Sequence, residues 1–237
     1  MKKAHLPLSA FVMGLAITAN TITPPVAAGK SINLRDDCPR AVGSVKRSGG
    51  TYVFTLKHGQ KGGCSTDRMA RHGAPYWERA ELKSAYFKKG RTYTFSFDVN
   101  FSSKTKSSNR TSFFQVHQYH NKKCRSCAPA IMLKVNANGS VIAAVLKRNG
   151  HHAVKRLGLR RSQIAGKWAS FAIKMGTGKG LNALSISANG RKVFRGKVYI
   201  EPKGSIIVKT GLYRPGKRSD LPTDRVSIRR LRYSSNN

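Results

Sequence analysis

Acidic residues are scarce in this chain of 237 residues, which has 9 Asp and Glu against 45 Lys and Arg and a formal net charge of +36. A glycoside hydrolase usually needs two carboxylates across a cleft, so this supply disfavours hydrolysis. It also provides few oxygen ligands for calcium. We therefore expect no metal and no cofactor. The excess positive charge favours a polyanionic partner, because such a field attracts and concentrates anions.

Long hydrophobic runs are missing beyond the first residues, so we predict no membrane span. Residues 1–28 read as an export signal, with Lys2 and Lys3, an apolar stretch over 6–19, and small residues at 26–28. Cleavage before Gly29 would leave a charge of 43 minus 9, or +34. We expect a periplasmic or extracellular protein. Such a protein meets acidic polysaccharide more often than nucleic acid, so nucleic acid is not the expected primary partner.

Cysteine is also rare, with four residues in the chain. In an exported protein an even count favours disulfides. The close pair Cys124 and Cys127 leaves Cys38 and Cys64 as the natural second pair. Two alternatives stay open. One is a redox Cys-x-x-Cys motif, and the other is a zinc site whose four candidate ligands are His117, His120, Cys124 and Cys127.

Helical periodicity is weak, and residues 155–165 are the best candidate for a short helical turn. Period-two alternation of Val, Ile, Phe, Thr and Tyr instead predicts many strands, with Asn-Gly turns at 138–139 and 189–190. We expect a monomer with a basic lead-in over 29–50 and one all-β domain over 51–237, a jelly-roll sandwich. The predicted strands are 51–57, 92–101, 111–120, 130–136, 140–147, 168–174, 183–188, 191–198, 205–213 and 225–233.

Three segments carry reactive side chains at strand spacing. In "TSFFQVHQYHNKK" (111–123), Phe113, Gln115, His117 and Tyr119 alternate with Phe114, Val116 and Gln118. In "YWERAELKS" (76–84), Arg79 and Glu81 share a face. In "IIVKTGLYRPG" (206–216), Lys209, Gly211 and Tyr213 share a face. Together the segments offer a base, a phenol, an amide and several cations.

This set of groups fits the cleavage of an acidic polysaccharide by β-elimination. A base removes the proton at C5 of a uronic acid, and the sugar at O4 then leaves. The step needs neutralisation of the neighbouring carboxylate, where charge develops in the transition state. Gln115 and Arg79 are suitable donors. His117 in its neutral form is a candidate base, and Tyr213 can give a proton to O4 or act as the base.

The same segments resemble motifs of jelly-roll polysaccharide lyases, a group that includes alginate, glucuronan and heparin lyases. Residues 79–82 resemble their R-x-E-L segment, residues 115–117 their Q-[IV]-H segment, and residues 209–213 their K-x-G-x-Y segment, in the family's order. The resemblance covers roughly residues 50–233 and implies a concanavalin-like jelly roll with a concave substrate groove.

The resemblance also implies a role for each matched residue. Gln115 would neutralise the carboxylate, His117 would be base or neutraliser, and Tyr213 would be base and acid. Arg79 would contact the substrate carboxylate, with Glu81 orienting it. The expected contacts to the polymer are Lys209, Arg214, Lys83 and Tyr119.

Arg214 follows Tyr213 where alginate lyases often carry an amide, which is closer to the glucuronan and heparin lyase pattern. This residue and the net charge favour a glucuronate-containing or sulfated polymer, although glucuronan, alginate and heparin or heparan-like chains all stay open. Two other functions also stay open. One is a module of the same fold that binds acidic glycan without cutting it, and the other is a basic envelope or nucleic-acid-binding protein.

Overall fold

The computed structural model describes residues 29–41, 44–70, 73–102, 110–119, 128–202, 204–217 and 221–236. Almost all regular structure in these residues is β. One 3₁₀ helix spans Ser65–Arg68, and one short helix, α1, spans Arg161–Ile164. The strands are β1 (Lys30–Ser31), β2 (Leu34–Asp36), β3 (Val45–Ser48), β4 (Thr51–Leu56), β5 (Trp77–Ser84), β6 (Thr92–Phe101), β7 (Thr111–Tyr119), β8 (Pro129–Val135), β9 (Ser140–Leu146), β10 (His152–Arg160), β11 (Ala169–Gly176), β12 (Gly180–Ala188), β13 (Arg191–Ile200), β14 (Ser205–Pro215) and β15 (Asp224–Asn236).

The strands form two antiparallel sheets that pack as a sandwich. The back sheet has the order β13-β12-β11-β6-β15-β4-β3, with β1 added along β15. The front sheet has the order β10-β9-β8-β7-β14-β5-β2. Three neighbouring strands of this sheet, β7, β14 and β5, carry the three segments that the sequence singles out.

Alternation of side chains builds the core between the sheets. On β6, Phe95, Phe97 and Val99 are buried in the core cluster. The ring of Phe97 stacks on Phe114 of β7 at 4.4 Å and on Phe171 of β11 at 5.7 Å. This aromatic layer joins the two sheets and leaves the other face of each sheet outside the core. We call the outward face of the front sheet the site face.

Two of the predicted elements differ from the structure. Residues 152–160 form strand β10 at the edge of the front sheet, so the helical prediction is right only for Arg161–Ile164. Leu157 and Leu159 pack against the core while Arg156 and Gly158 alternate with them, which is the pattern of a strand. The described residues of the lead-in also form strands, because β1, β2 and β3 belong to the two sheets.

Because of a β-bulge, the side chain of Phe113 lies on the face of β7 opposite to the predicted one. Phe113 was expected on the same face as Gln115, yet it is buried in the core beside Phe114. The pairing of β7 with β8 shifts register between Ser112 and Phe114, and an extra residue of this kind turns the following side chains over. Ser112 and Gln115 therefore lie on the site face, with two core residues between them.

No helix in the described part of the chain combines the length and the apolar character that crossing a membrane requires.

Candidate functional site

The register of three neighbouring strands assembles the site. On the two sides of β14, Lys209 lies opposite Lys83 of β5 and Gln115 of β7. Two further pairs along β14 are Gly211 with Glu81 and Tyr213 with Arg79. Directly opposite residues of an antiparallel pair project from the same face. The R-x-E-L, Q-[IV]-H and K-x-G-x-Y segments are thus adjacent on the site face.

Arg79 is held by two carboxylates. Its Nε and Nη2 donate to the two oxygens of Asp67 at 2.8 and 2.7 Å, and its Nη1 donates to Glu81 Oε2 at 2.6 Å. The guanidinium is buried, and the two acids more than offset the effect of burial, so the pKa of Arg79 is raised. Arg79 is therefore a fixed cation with one rigid orientation.

Glu81 connects Arg79 to Gln115. Its second oxygen, Oε1, accepts a hydrogen bond from Gln115 Nε2 at 2.6 Å. Burial raises the pKa of Glu81, against the opposing attraction of Arg79 and Lys209. The bond to Glu81 fixes the amide of Gln115 with its nitrogen in the network, and that nitrogen keeps a second N–H.

A second ionic group lies beside the first. Asp37 Oδ1 accepts from Lys83 Nζ at 2.7 Å, and Oδ2 accepts from Lys209 Nζ at 2.5 Å. Burial alone would raise the pKa of Asp37, but the two ammonium groups, Lys209 first, outweigh it and lower the value to about 2. Lys83 and Lys209 thus share one carboxylate.

Asp37 and Asp67 contact the predicted site residues, although the sequence patterns did not single them out. The predicted Cys38–Cys64 disulfide is confirmed. Asp37 precedes one of its cysteines, and Asp67 lies three residues after the other, in the 3₁₀ helix. The disulfide therefore holds both acids near the site. Their positions close to the two cysteines are the feature of the sequence from which their place could have been predicted.

The alternatives for the cysteines are only partly covered by the structure. Because Cys38 and Cys64 are oxidised, they offer no thiolate to a metal next to Asp37. The predicted Cys124–Cys127 disulfide and the alternative zinc ligands His120, Cys124 and Cys127 lie outside the described residues.

Tyr213 lies between a cation and an aromatic ring. The guanidinium carbon of Arg79 is 4.3 Å from its ring centroid, and the ring of Trp77 stacks on it at 4.9 Å. Tyr213 is partly exposed, whereas Arg79, Glu81 and Gln115 are buried. The phenol is thus a rigid, solvent-reaching group above a buried ionic network.

His117 is neutral. Its Nδ1 lies 2.7 Å from the backbone oxygen of Gln118. A carbonyl oxygen only accepts, so Nδ1 carries the proton and Nε2 keeps a lone pair. Burial, with the positive charge of Lys209, lowers the pKa of His117 to about 3. The imidazole can therefore accept a proton but, in this tautomer, cannot donate a hydrogen bond from Nε2 to a substrate carboxylate.

Six positions of β14 separate Tyr213 from Ile207, the residue opposite His117, and Lys209 and Gly211 lie between them. His117 is opposite Ile207 and Tyr213 is opposite Ser112. The Tyr213 ring contacts the guanidinium of Arg79, and hydrogen bonds continue from Arg79 through Glu81 to Gln115. The amide of Gln115 is therefore part of the same network as Tyr213.

Gly211 permits the close approach of β14 to β5. Its φ of +129° is one that residues with a side chain rarely adopt. A Cβ there would collide with the backbone oxygen of Ala80 and lie 2.8 Å from Phe54 Cδ1. The glycine of the K-x-G-x-Y segment is thus required by the backbone between Lys209 and Tyr213.

Arg214 does not reach the site face, so the expected polymer contact by this residue is wrong for this structure. It follows Tyr213 in the strand and therefore points to the opposite side, where it is 0% exposed. Its Nε donates to Glu78 at 2.5 Å and its Nη1 to Asp224 at 2.9 Å. Arg214 is a structural ion-pair residue. Tyr119, another expected contact, ends β7 opposite Ser205.

Comparison with known proteins agrees with this geometry. Residues 28–227 match the family model described as "Polysaccharide lyase". The chain belongs to the polysaccharide lyase family. No curated protein matches it in sequence. The family match identifies the chain as a polysaccharide lyase enzyme.

Solved structures share the fold of this lyase at low identity. An alginate lyase from Pseudomonas aeruginosa is 18% identical over 83% of this chain and 87% of its own, with a TM-score of 0.58. Alginate lyase A1-II′ in complex with product gives 13% identity, 83% and 85% coverage, and a TM-score of 0.61. Alginate lyase AlgAT5 of polysaccharide lyase family 7 gives 15%, 84%, 85% and 0.55. The predicted jelly-roll sandwich is confirmed.

Proposed function

We propose that this lyase is exported and cleaves a uronate-containing polysaccharide by β-elimination, with Tyr213 at the reaction centre. The observation that carries the proposal is the position of the Tyr213 ring, 4.3 Å from the guanidinium carbon of Arg79 and partly exposed above the buried network. A fixed cation at this distance favours the phenolate that forms when Tyr213 gives up its proton. The oxidised Cys38–Cys64 pair supports export.

In the proposed reaction the base takes the proton from C5 of the uronate. The electron pair of that C–H bond forms the C4–C5 double bond, the C4–O4 bond breaks, and O4 receives a proton. In D-mannuronate and D-glucuronate the C5 proton and O4 leave from one face, so Tyr213 can be base and acid in turn. In the C5 epimers they leave from opposite faces, and Nε2 of His117 is then the base.

The residues around Tyr213 have different electrostatic roles in this proposal. The free N–H of Gln115 is the donor suited to the substrate carboxylate, because Glu81 fixes the amide. Arg79 already donates to Asp67 and Glu81, so we assign it chiefly to holding Tyr213 and Gln115 in place. Lys83 and Lys209 border the reaction centre and are candidates for contacts to the polymer.

The choice of substrate now rests on fewer residues. Arg214 is buried and so no longer supports a glucuronate-containing or sulfated polymer. The net charge of +36 supports an acidic polymer of any of these kinds. Solved structures with the same fold are named as alginate lyases, which makes alginate the first polymer to test.

The test is a panel of alginate, glucuronan, heparin, heparan sulfate and hyaluronan incubated with the full chain. Formation of the unsaturated uronate is followed by its ultraviolet absorbance. We expect at least one polymer to yield this product. If the wild-type protein bound these polymers and cut none of them, the non-catalytic module would replace the proposed reaction.

A further inference from the structure

One row of side chains crosses the site face from the reaction centre to the sheet edge. Tyr213 of β14 is opposite Ser112 of β7, and Ser112 is opposite Lys134 of β8. Lys134 is opposite Ile142 of β9, and Ile142 is opposite Arg156 of β10. At about 4.8 Å per strand, Lys134 lies about 10 Å and Arg156 about 19 Å from Tyr213 at the backbone. The row therefore places two cations in line with the phenol.

Lys134 and Arg156 differ from the cations of the reaction centre because neither is paired with a carboxylate among the described residues. Arg79, Lys83 and Lys209 are balanced by Asp67, Glu81 and Asp37, three cations against three carboxylates. Within the described ranges, neither Lys134 nor Arg156 forms an ion pair or a side-chain hydrogen bond. The reaction centre is formally neutral, so the net attraction for a polyanion must come from cations outside it.

Lys134 is the more informative of the two. Its side chain is partly buried, and burial, with the positive charge of Arg110, lowers its pKa to about 8. A desolvated ammonium beside another cation is costly unless an anion arrives. A bound carboxylate would supply an ion-pair partner for Lys134 and reduce its repulsion with Arg110.

The surface beside this row suits sugar rings. In the next row of the site face, Gln115 is followed by Met132, Ala144 and Val154, one from each successive strand. Val154 is 61% exposed. This apolar strip runs parallel to the cations and leads away from Gln115. The C–H faces of pyranose rings can pack on such a strip while their carboxylates reach the adjacent cations.

We propose that Lys134 and Arg156 form a second anion-binding subsite that holds carboxylates of the same polysaccharide, on the β8–β10 side of Tyr213. This inference rests on the proposed function, since it assumes a uronate polymer lying across the strands. The subsite gives affinity and length preference, whereas the reaction centre performs the elimination.

The test uses the full chain with Tyr213→Phe, so that bound polymer is not cut. Calorimetry measures the affinity for alginate oligomers that are long enough to span the row and for shorter ones that fill the reaction centre only, with glucuronan and heparin oligomers as further probes. Adding Lys134→Met should raise Kd for the long oligomers about tenfold, the value of one charge-assisted bond, and leave the short ones unchanged.

The matched control is Lys174→Met, which removes the same charge from an exposed position of β11 in the back sheet. It should change Kd within about twofold for every oligomer. Lys134→Arg keeps the charge and should restore binding, which separates lost charge from lost folding. In the enzyme with Tyr213 intact, Lys134→Met should raise KM for long chains and leave kcat unaltered.

The subsite is overturned if Lys134→Met weakens short and long oligomers equally, or no more than Lys174→Met does. The two proposals fail separately. Cleavage of a uronate polymer without any effect of Lys134 removes the subsite and keeps the reaction. A length-dependent effect of Lys134 on binding by a chain that cuts no polymer keeps the subsite and removes the reaction.

Discussion

The guanidinium carbon of Arg79 lies 4.3 Å from the centre of the Tyr213 ring, while three of its nitrogens donate to Asp67 and Glu81. Arg79 is therefore a positioning cation beneath the phenol. Its own position depends on Asp67, which comes from a different part of the chain. This dependence leads to the first prediction.

Asp67→Asn should lower both stability and turnover. It removes the carboxylate that binds Nε and Nη2 of Arg79 and leaves a buried guanidinium short of charge, a loss of about 3 kcal/mol. Turnover should fall in the folded variant because Tyr213 loses its fixed neighbour. Urea unfolding and kcat measure the two effects. The control is Asp36→Asn, which removes an exposed ion pair with Arg40. It should lower the unfolding free energy by about 0.5 kcal/mol. Equal effects of the two variants would contradict the role of Asp67.

Opening the Cys38–Cys64 disulfide should reduce stability and activity together. Its cysteines are 26 residues apart, for which chain entropy gives about 3.5 kcal/mol. Because Asp37 and Asp67 are carried on its two sides, the double variant Cys38→Ser, Cys64→Ser should also lose kcat at a temperature where it remains folded. Circular dichroism establishes that temperature. Full kcat in the folded double variant would show that the acids are placed without the disulfide.

His117 should make the protein less stable in acid. Its pKa is about 3 in the folded chain and 6.5 in the unfolded chain. Between these values the unfolded state binds the extra proton, so this contribution is present above pH 6.5 and is lost as the pH falls towards 3. The slope approaches about 1.4 kcal/mol per pH unit.

The measurement for His117 is urea unfolding at a series of pH values between neutral and the range where Asp37 begins to titrate. His117→Gln should flatten the dependence relative to the wild type, and the variant of an exposed residue, His151→Gln, should not. A wild-type and a His117→Gln protein with parallel curves would show that the imidazole is not held neutral by burial.

The strands and most of the site could be predicted from local patterns, because alternation and Asn-Gly turns act between near neighbours. Strand β6 has the predicted bounds, 92–101. Alternation alone predicts the correct side of the sheet for Arg214, since the residue after an outward-pointing Tyr213 points inward. The expected polymer contact of Arg214 came instead from its position next to the family motif.

The remaining features depend on contacts that local patterns do not encode. Asp37 and Asp67 reach the site through a disulfide and a 3₁₀ helix, so their partners are distant in sequence. The facing of Phe113 depends on a bulge in the pairing with β8. Strand β10 contains "KRLGLR" (155–160), and the positive charges obscure its two-residue period. The position of β10 at the edge of the front sheet explains why these charges are exposed.

Replacement of Tyr213 by Phe tests the central claim most directly. Phe keeps the ring between Arg79 and Trp77, so the unfolding free energy and the Kd for polymer should be nearly unchanged, while the proton carrier is lost. Production of unsaturated uronate ends from the best polymer of the panel should fall by at least about 100-fold in kcat. Retention of near-normal kcat by a folded Tyr213→Phe enzyme would contradict the account and move the proton transfer to another residue.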